Sequence, residues 1–335
     1  MAMTSVSIAV NAPPDAAAAR RAAEDAARRS HFDVTRTGQV AIVVTELATN
    51  ILKHAQHGEI LVTPCRNDAH RGLEVLAIDR APGIADLGAA LVDGRSTAGT
   101  LGQGLGAIRR LANDFDIFTQ PGKGTVALAR VWARHDAAIG AQALTIGAVN
   151  VAKPGEEACG DAWSARIGPH YATLMVADGL GHGLLAAEAS AAAIGTFERD
   201  PLRSPSLTLD DVHLALRSTR GAAVAIAAIE FGRDIVAYAG LGNIAASLVV
   251  DQSRRSLVSH NGTAGHVARK LQEFSYPMPP AASLVIHSDG LGSHWNPADY
   301  SGLWSRDPAV AAGVLYRDFT RRRDDVTVVV GRRSI

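Results

Sequence analysis

At 335 residues the chain is too long for one typical domain, and its 33 basic residues balance 33 acidic ones, so no global field draws it to nucleic acid or an anionic membrane. Its two cysteines, Cys65 and Cys159, give neither a disulfide framework nor a zinc spacing. No basic segment followed by an apolar core opens the chain, and no apolar run reaches the roughly 18 residues of a membrane span, so a cytoplasmic, reducing setting is expected.

The Ala-rich stretch Asp15 to Arg29 reads as an early helix. Residues 40 to 55, V-A-I-V-V-T-E-L-A-T-N-I-L-K-H-A, repeat apolar residues at helical spacing without Gly or Pro. Glu46, Asn50 and His54 therefore fall at successive four-residue steps, roughly on one helix face. A carboxylate and an amide one turn apart can hold a nucleophile and a Mg²⁺ respectively; a solvated polar stripe is the alternative. Val75 to Ile84 reads as a strand that ends at Asp79 and runs into a Pro-Gly turn. A glycine-rich loop from Asp93 then feeds a helix ending near Leu111, and backbone amides of such a loop can cradle phosphates. G-K-G-T, Gly122 to Thr125, opens a final strand, and Trp132 to Gly140 looks like a short connection.

Beyond it, strands are expected at Ala143 to Asn150, Tyr171 to Asp178, Ala222 to Glu230, Asp234 to Ala239, Ala245 to Val250 and Ser283 to Ser288, with helices after His182 and near Asp211 to Ser218. Asp161, Asp178, Asp289 and Asp324 each sit where an apolar run meets a turn. Hard divalent cations such as Mg²⁺ and Mn²⁺ prefer such oxygen ligands, which points to a two-metal hydrolytic centre. A single Asp-Gly is more often an ordinary turn. Only one of Asp324 and Asp325 can face the metals, because adjacent strand residues point to opposite faces. His182, between two glycines, is either structural or a proton donor to a leaving alkoxide. Arg323 abuts Asp324 and could help bind a phosphate, whereas Arg20/Arg21 and Arg28/Arg29 read as solvated surface.

Over roughly residues 5 to 133, the succession of E-x-x-x-N helix, strand-end Asp, glycine-rich lid and G-K-G-T resembles the GHKL ATPases, and within them the RsbT/RsbW-like anti-sigma-factor serine kinases. The resemblance implies that Glu46 orients or deprotonates the attacking hydroxyl and Asn50 ligates Mg²⁺. Asp79 would accept from the adenine amino group, Gly83 would line the adenine pocket with Thr125 on the strand beside it, and Gly102, Gly104 and Gly106 would belong to the lid over the ATP phosphates. One departure is Ala81-Pro82 where the family has its first glycine after the Asp.

From residue 142 to 335 the G-D, A-D-G-x-G-H-G, S-D-G and D-D-V-T motifs resemble the PPM serine/threonine phosphatases of the SpoIIE/RsbX-like branch. That likeness implies that Asp178 bridges two Mn²⁺ or Mg²⁺ ions, the Gly179 carbonyl completes one, and Asp289 and Asp324 hold the other. Asp161 would act at the edge of the site, and family position selects Asp324 over Asp325.

The fold class expected is thus α/β (α+β). A GHKL (Bergerat) α/β sandwich over residues 1–137, a mixed sheet with helices on one face, would precede a PPM-type α/β/β/α sandwich over residues 142–335. The implied function is a bifunctional regulator that phosphorylates a STAS-domain protein with ATP and hydrolyses phosphoserine or phosphothreonine. The alternative is an ATP-gated module that sequesters a STAS protein or sigma factor beside a phosphatase.

Overall fold

The computed structural model describes residues 4–66, 70–90, 104–134, 143–268 and 270–334. Contacts divide the chain into two compact units. One comprises Ser5–Gly140 with Ser305–Arg317, the other Met1–Thr4, Ala141–Trp304 and Asp318–Ile335.

The first unit runs β1 (Val6–Val10), α1 (Pro13–Arg29), α2 (Val34–Asn50), β2 (Gly58–Arg66), β3 (Arg71–Asp79), α3 (Leu87–Ala90), α4 (Gly104–Leu111), β4 (Asp114–Gln120) and β5 (Gly124–Trp132). Pro13 opens α1 where a missing N–H costs nothing, and the Asp15 carboxylate accepts from the Asn11 and Ala12 amides. Asp33 caps α2 by accepting from the Arg36 amide at 2.7 Å. The buried stripe of α2, Val40, Val43, Val44, Leu47 and Ala48, packs on the small buried residues of α1 and on Ile60, Val62, Leu73 and Val75 of the sheet.

The sheet order is β1-β2-β3-β5-β4, and every neighbouring pair is antiparallel rather than mixed. The long connection after β3 brings the chain to the edge strand β4 first. A tight turn then returns it as β5 against β3, so no parallel pair arises. The expectation of helices on one face is also corrected. β5 is buried at every residue, so both of its faces are covered. The second cover is α7 (Pro308–Phe319), drawn from far along the sequence. A Cβ at Gly313 would stand 3.0 Å from Val126, so the helix backbone lies close against the sheet. Arg130 of β5 forks onto Asp307 at 2.6 and 2.7 Å and reaches Glu74 at 2.8 Å, while the Tyr316 hydroxyl donates to Glu59 at 3.0 Å.

The second unit contains β6 (Leu144–Val151), β7 (Asp161–Ile167), β8 (Tyr171–Gly179), α5 (Leu184–Arg199), α6 (Pro205–Ala215), β9 (Ala222–Glu230), β10 (Ile235–Leu241), β11 (Ala245–Val250), β12 (Ser253–Ser256), the short β13 (Gly262–Thr263) and β14 (Val267–Ala268), β15 (Phe274–Pro277), β16 (Ser283–His287) and β17 (Val326–Arg333). Two five-stranded sheets, β15-β10-β9-β8-β7 and β12-β11-β16-β17-β6, are antiparallel throughout. Leu174, Val176, Ala225, Leu284, Ile286 and Val329 fill the layer between them. Met175, Ala177 and Ile226 point the other way, onto Ile194, Phe197, Leu209 and Val212 of α5 and α6. Strand alternation thereby assigns one face to each core, and it also decides where the acidic strand ends point.

Candidate functional site

In the first unit, Glu46 and Asn50 sit half-buried at the margin of the α2 stripe. Among the described residues neither side chain is engaged within the protein, so both are available to a ligand. The expected single face stops at Asn50, because Ile51–Ala55 is a π-helical turn. A π turn adds a residue per hydrogen-bonded ring, which rotates His54 off the Glu46–Asn50 line. His54 instead acts on Asp79 through its charge.

Asp79 ends β3 and accepts at Oδ1 from the amides of Ala81 at 2.9 Å and Thr125 at 3.2 Å. Its second oxygen is left for an outside donor. Burial raises the Asp79 carboxyl, and these two amides, then Arg317 and His54, pull it back down. Gly83, at φ +83°, packs so tightly on the β4–β5 hairpin that a Cβ would stand 2.8 Å from the Gln120 carbonyl. The Ile84 amide donates to Thr119 at 2.8 Å, fixing the turn that the substituted Ala81-Pro82 enters. Gly104 begins α4 and Gly106 is buried within it, while Gly102 lies outside the described residues.

In the second unit, Asp161 and Asp178 are directly opposed across β7 and β8, so their carboxylates leave the same end of the inter-sheet layer. Asp161 is 2% exposed, accepts from the Ser288 hydroxyl at 2.6 Å, and that hydroxyl accepts in turn from the Thr327 amide at 2.9 Å. Asn150 donates to the Asp161 carbonyl and to the Thr327 hydroxyl at 3.2 and 2.7 Å. Asp289 follows β16 and accepts from Asn243 at 2.7 Å. Gly179 pairs with Ala222 and its amide donates to Gly160 at 3.1 Å.

The Asp324/Asp325 pair divides sharply. Asp325 is buried, with Oδ1 accepting from the Lys153 amide at 2.8 Å and Oδ2 from the Gly160 amide at 3.0 Å. Asp324 is exposed at the mouth of β17 and, among the described residues, accepts only from the Asp325 amide at 3.0 Å. One carboxylate is consumed by the fold and the other remains able to bind.

Burial raises Asp178 far above the ordinary carboxylate range, and the charges of Asp161, Asp289, Asp324 and Asp325 raise it further. Burial likewise raises Asp161, against the pull of its Ser288 hydrogen bond. An all-oxygen cluster that repels its own charge suits a hard divalent cation, which would take the place of the proton. Among the described residues no three His, Cys, Asp or Glu side chains already converge as a chelating set. The carboxylates that act on Asp178, those of Asp161, Asp289, Asp324 and Asp325, are hard oxygen donors of the kind such ions take. The sequence reading overlooked Ser288, Asn150, Thr327 and Asn243; the Ser preceding Asp289 was the one local signal.

A family model described as "Histidine kinase-like ATPase domain" matches residues 10–152, and one described as "Stage II sporulation protein E (SpoIIE)" matches residues 168–334. The chain belongs to the histidine kinase-like ATPase family through its first part, and its second part is similar to the SpoIIE family. More particularly, it is 33% identical over 120 residues to serine/threonine-protein kinase RsbT of Bacillus subtilis (strain 168), spanning 36% of this chain and 90% of RsbT. It is 26% identical over 187 residues to phosphoserine phosphatase RsbX of the same bacterium, 54% of this chain and 91% of RsbX. A crystal structure of RsbX in complex with magnesium shares the fold with a TM-score of 0.53 and 23% identity, covering 58% of this chain and 98% of that one. Among the described residues no helix is long and apolar enough to cross a membrane.

Proposed function

We propose that this chain sets the phosphorylation level of a STAS-domain partner, adding phosphate from Mg²⁺-ATP with its first unit and removing it with its second. The observation that carries this reading is the acidic group around Asp178, whose carboxyl is raised by burial and by the charges of Asp161, Asp289, Asp324 and Asp325. In the first unit Asp79 keeps one oxygen unengaged, and neither Glu46 nor Asn50 is engaged among the described residues.

In the first unit, Glu46 would orient or deprotonate the partner's Ser or Thr hydroxyl, Asn50 would hold Mg²⁺, and the free oxygen of Asp79 would accept from the adenine amino group. Gly83 and Thr125 would shape the adenine pocket, and Gly102, Gly104 and Gly106 the cover over the phosphates. In the second, Asp178, the Gly179 carbonyl, Asp289 and Asp324 would hold two Mn²⁺ or Mg²⁺ ions, with Asp161, held by the Ser288 hydroxyl, acting at the edge of the site. Bound ions of this kind polarise the phosphoryl group and make a water more nucleophilic. The chain's own part is to place the carboxylates before substrate arrives.

The test is the intact mass of a STAS-domain protein after incubation with Mg²⁺-ATP and the Asp178→Asn variant, followed by wild-type protein with Mn²⁺. Gain of one phosphoryl group and its later loss supports both activities. ATP binding without mass gain favours a second reading, a nucleotide-gated module that captures the STAS partner. The Ala81-Pro82 substitution in the pocket wall is the observation behind that alternative.

A further inference from the structure

The turn that joins β8 to α5 and the first residues of that helix put three leucines into solvent: Leu180, Leu184 and Leu185 are 45%, 73% and 50% exposed. A single exposed leucine is ordinary, but a group of them marks a surface that something covers. The turn is braced, so these side chains are held outward. The Leu180 amide donates to the Gly221 carbonyl at 3.0 Å, and the Ala187 amide to the Gly183 carbonyl at 3.0 Å. Nδ1 of His182 lies 2.6 Å from Oε1 of Glu156. Gly179, between Asp178 and Leu180, packs backbone to backbone on Ala186.

Arg220 reaches the same turn from the residues that precede β9, and its Nη1 would stand 3.0 Å from a Cβ at Gly181. Its backbone is fixed: its carbonyl lies 2.9 Å from Nε2 of His266, and the Gly221 amide donates to the Thr219 hydroxyl at 3.0 Å. The guanidinium is exposed and, among the described residues, has no partner. An apolar rim and an unpaired cation therefore border the turn that Asp178 enters. A phosphoserine brought to Asp178 is joined to chain on both sides, and that chain has to cross this surface. Its phosphoryl dianion complements the guanidinium, and apolar neighbours complement the leucines.

We propose that Leu180, Leu184 and Leu185, with Arg220 beside them, are the docking surface for the phosphorylated segment of the protein substrate. The leucines select apolar residues next to the phosphoserine; this rests on the phosphatase reading above. Because the turn is already braced, docking orders little of the enzyme, and the apolar contact goes into affinity.

The experiment measures kcat and KM of the full chain with Mn²⁺ on three substrates. These are a phosphoserine peptide with leucine on both sides of the phosphoserine, the same peptide with serine at those two places, and p-nitrophenyl phosphate. Wild type should show a KM about 10-fold lower for the leucine peptide than for the serine peptide. The Leu184→Ser/Leu185→Ser variant should abolish that difference by raising KM on the leucine peptide, with turnover of the aryl ester held within about 2-fold. Arg220→Gln should raise KM about 10-fold on all three substrates, because the phosphoryl group is common to them. Equal wild-type KM values for the two peptides, or a leucine variant that loses equally on the aryl ester, would overturn the docking surface. An Arg220→Gln variant with unchanged KM would remove the guanidinium from it. A dimer that the leucine variant dissolves without changing KM would assign the patch to a second copy of the chain instead. Wild-type protein inert on all three substrates would overturn the phosphatase reading itself.

Discussion

Asp324 and Asp325 differ by one position, and the structure gives them opposite consequences. Replacing Asp325 with Ala strands the half-buried Lys153 amide and the buried Gly160 amide, which now donate at 2.8 and 3.0 Å. Each unsatisfied amide costs about 1–3 kcal/mol, so the gross loss is about 2–6 kcal/mol. Burial raises the Asp325 carboxyl, with the Asp324 charge adding to it, so removing that charge returns part of the cost. A net loss of about 2–4 kcal/mol is expected. Asp324→Ala loses one bond to its neighbour's amide at an exposed position and should cost at most about 0.5 kcal/mol. The assay is urea unfolding of the full chain, with hydrogen exchange resolving the Lys153 and Gly160 amides. Asp325→Ala should expose those amides. Asp324→Ala should leave them protected while abolishing Mn²⁺-dependent hydrolysis. If Asp325→Ala costs under about 0.5 kcal/mol, or the two variants are equally destabilised, the division between clamp and ligand is refuted.

Asp178 and Asp161 are both raised, chiefly by burial. A raised group contributes stability that is complete below its unfolded pKa, about 4, and is lost as pH climbs through the folded value. The metal-free protein should therefore weaken from about pH 4 toward neutrality. Metal-free Asp178→Asn should melt above wild type at pH 7, with the gap closing toward acid; an equal Tm at pH 7 would sink that account. Gly179→Ala would push a Cβ to 2.1 Å from the Ala186 carbonyl, a backbone atom that cannot swing away. A loss of about 3 kcal/mol or more in urea unfolding is expected, and a midpoint matching wild type would disprove the close approach. Asp79→Asn keeps the oxygen that serves Ala81 and Thr125 but can set an amide donor against adenine. Calorimetry should find ATP binding about 10-fold weaker or worse, with thermal stability little changed.

Much of this was written locally. Dense apolar runs marked most of the long strands, and their junctions with turns marked Asp79, Asp178 and Asp289. The helix carrying Glu46 and Asn50 was legible because its buried residues recur at helical spacing. Short polar strands such as β12 and β15 carry too little pattern to be recognised, and β7 reads ambiguously because polar residues interrupt it.

What the sequence determined by itself is therefore the set of elements and the chemistry at their ends, since both follow from periodicity and residue type within short windows. Tertiary structure alone decided which of two adjacent carboxylates is spent on the fold, that Ser288 secures Asp161, that Glu156 meets His182, and that α7 covers the far face of the first sheet. Each of these joins residues distant in sequence. Local pattern records whether a side chain prefers burial, but the partner it finds there depends on how the whole chain packs.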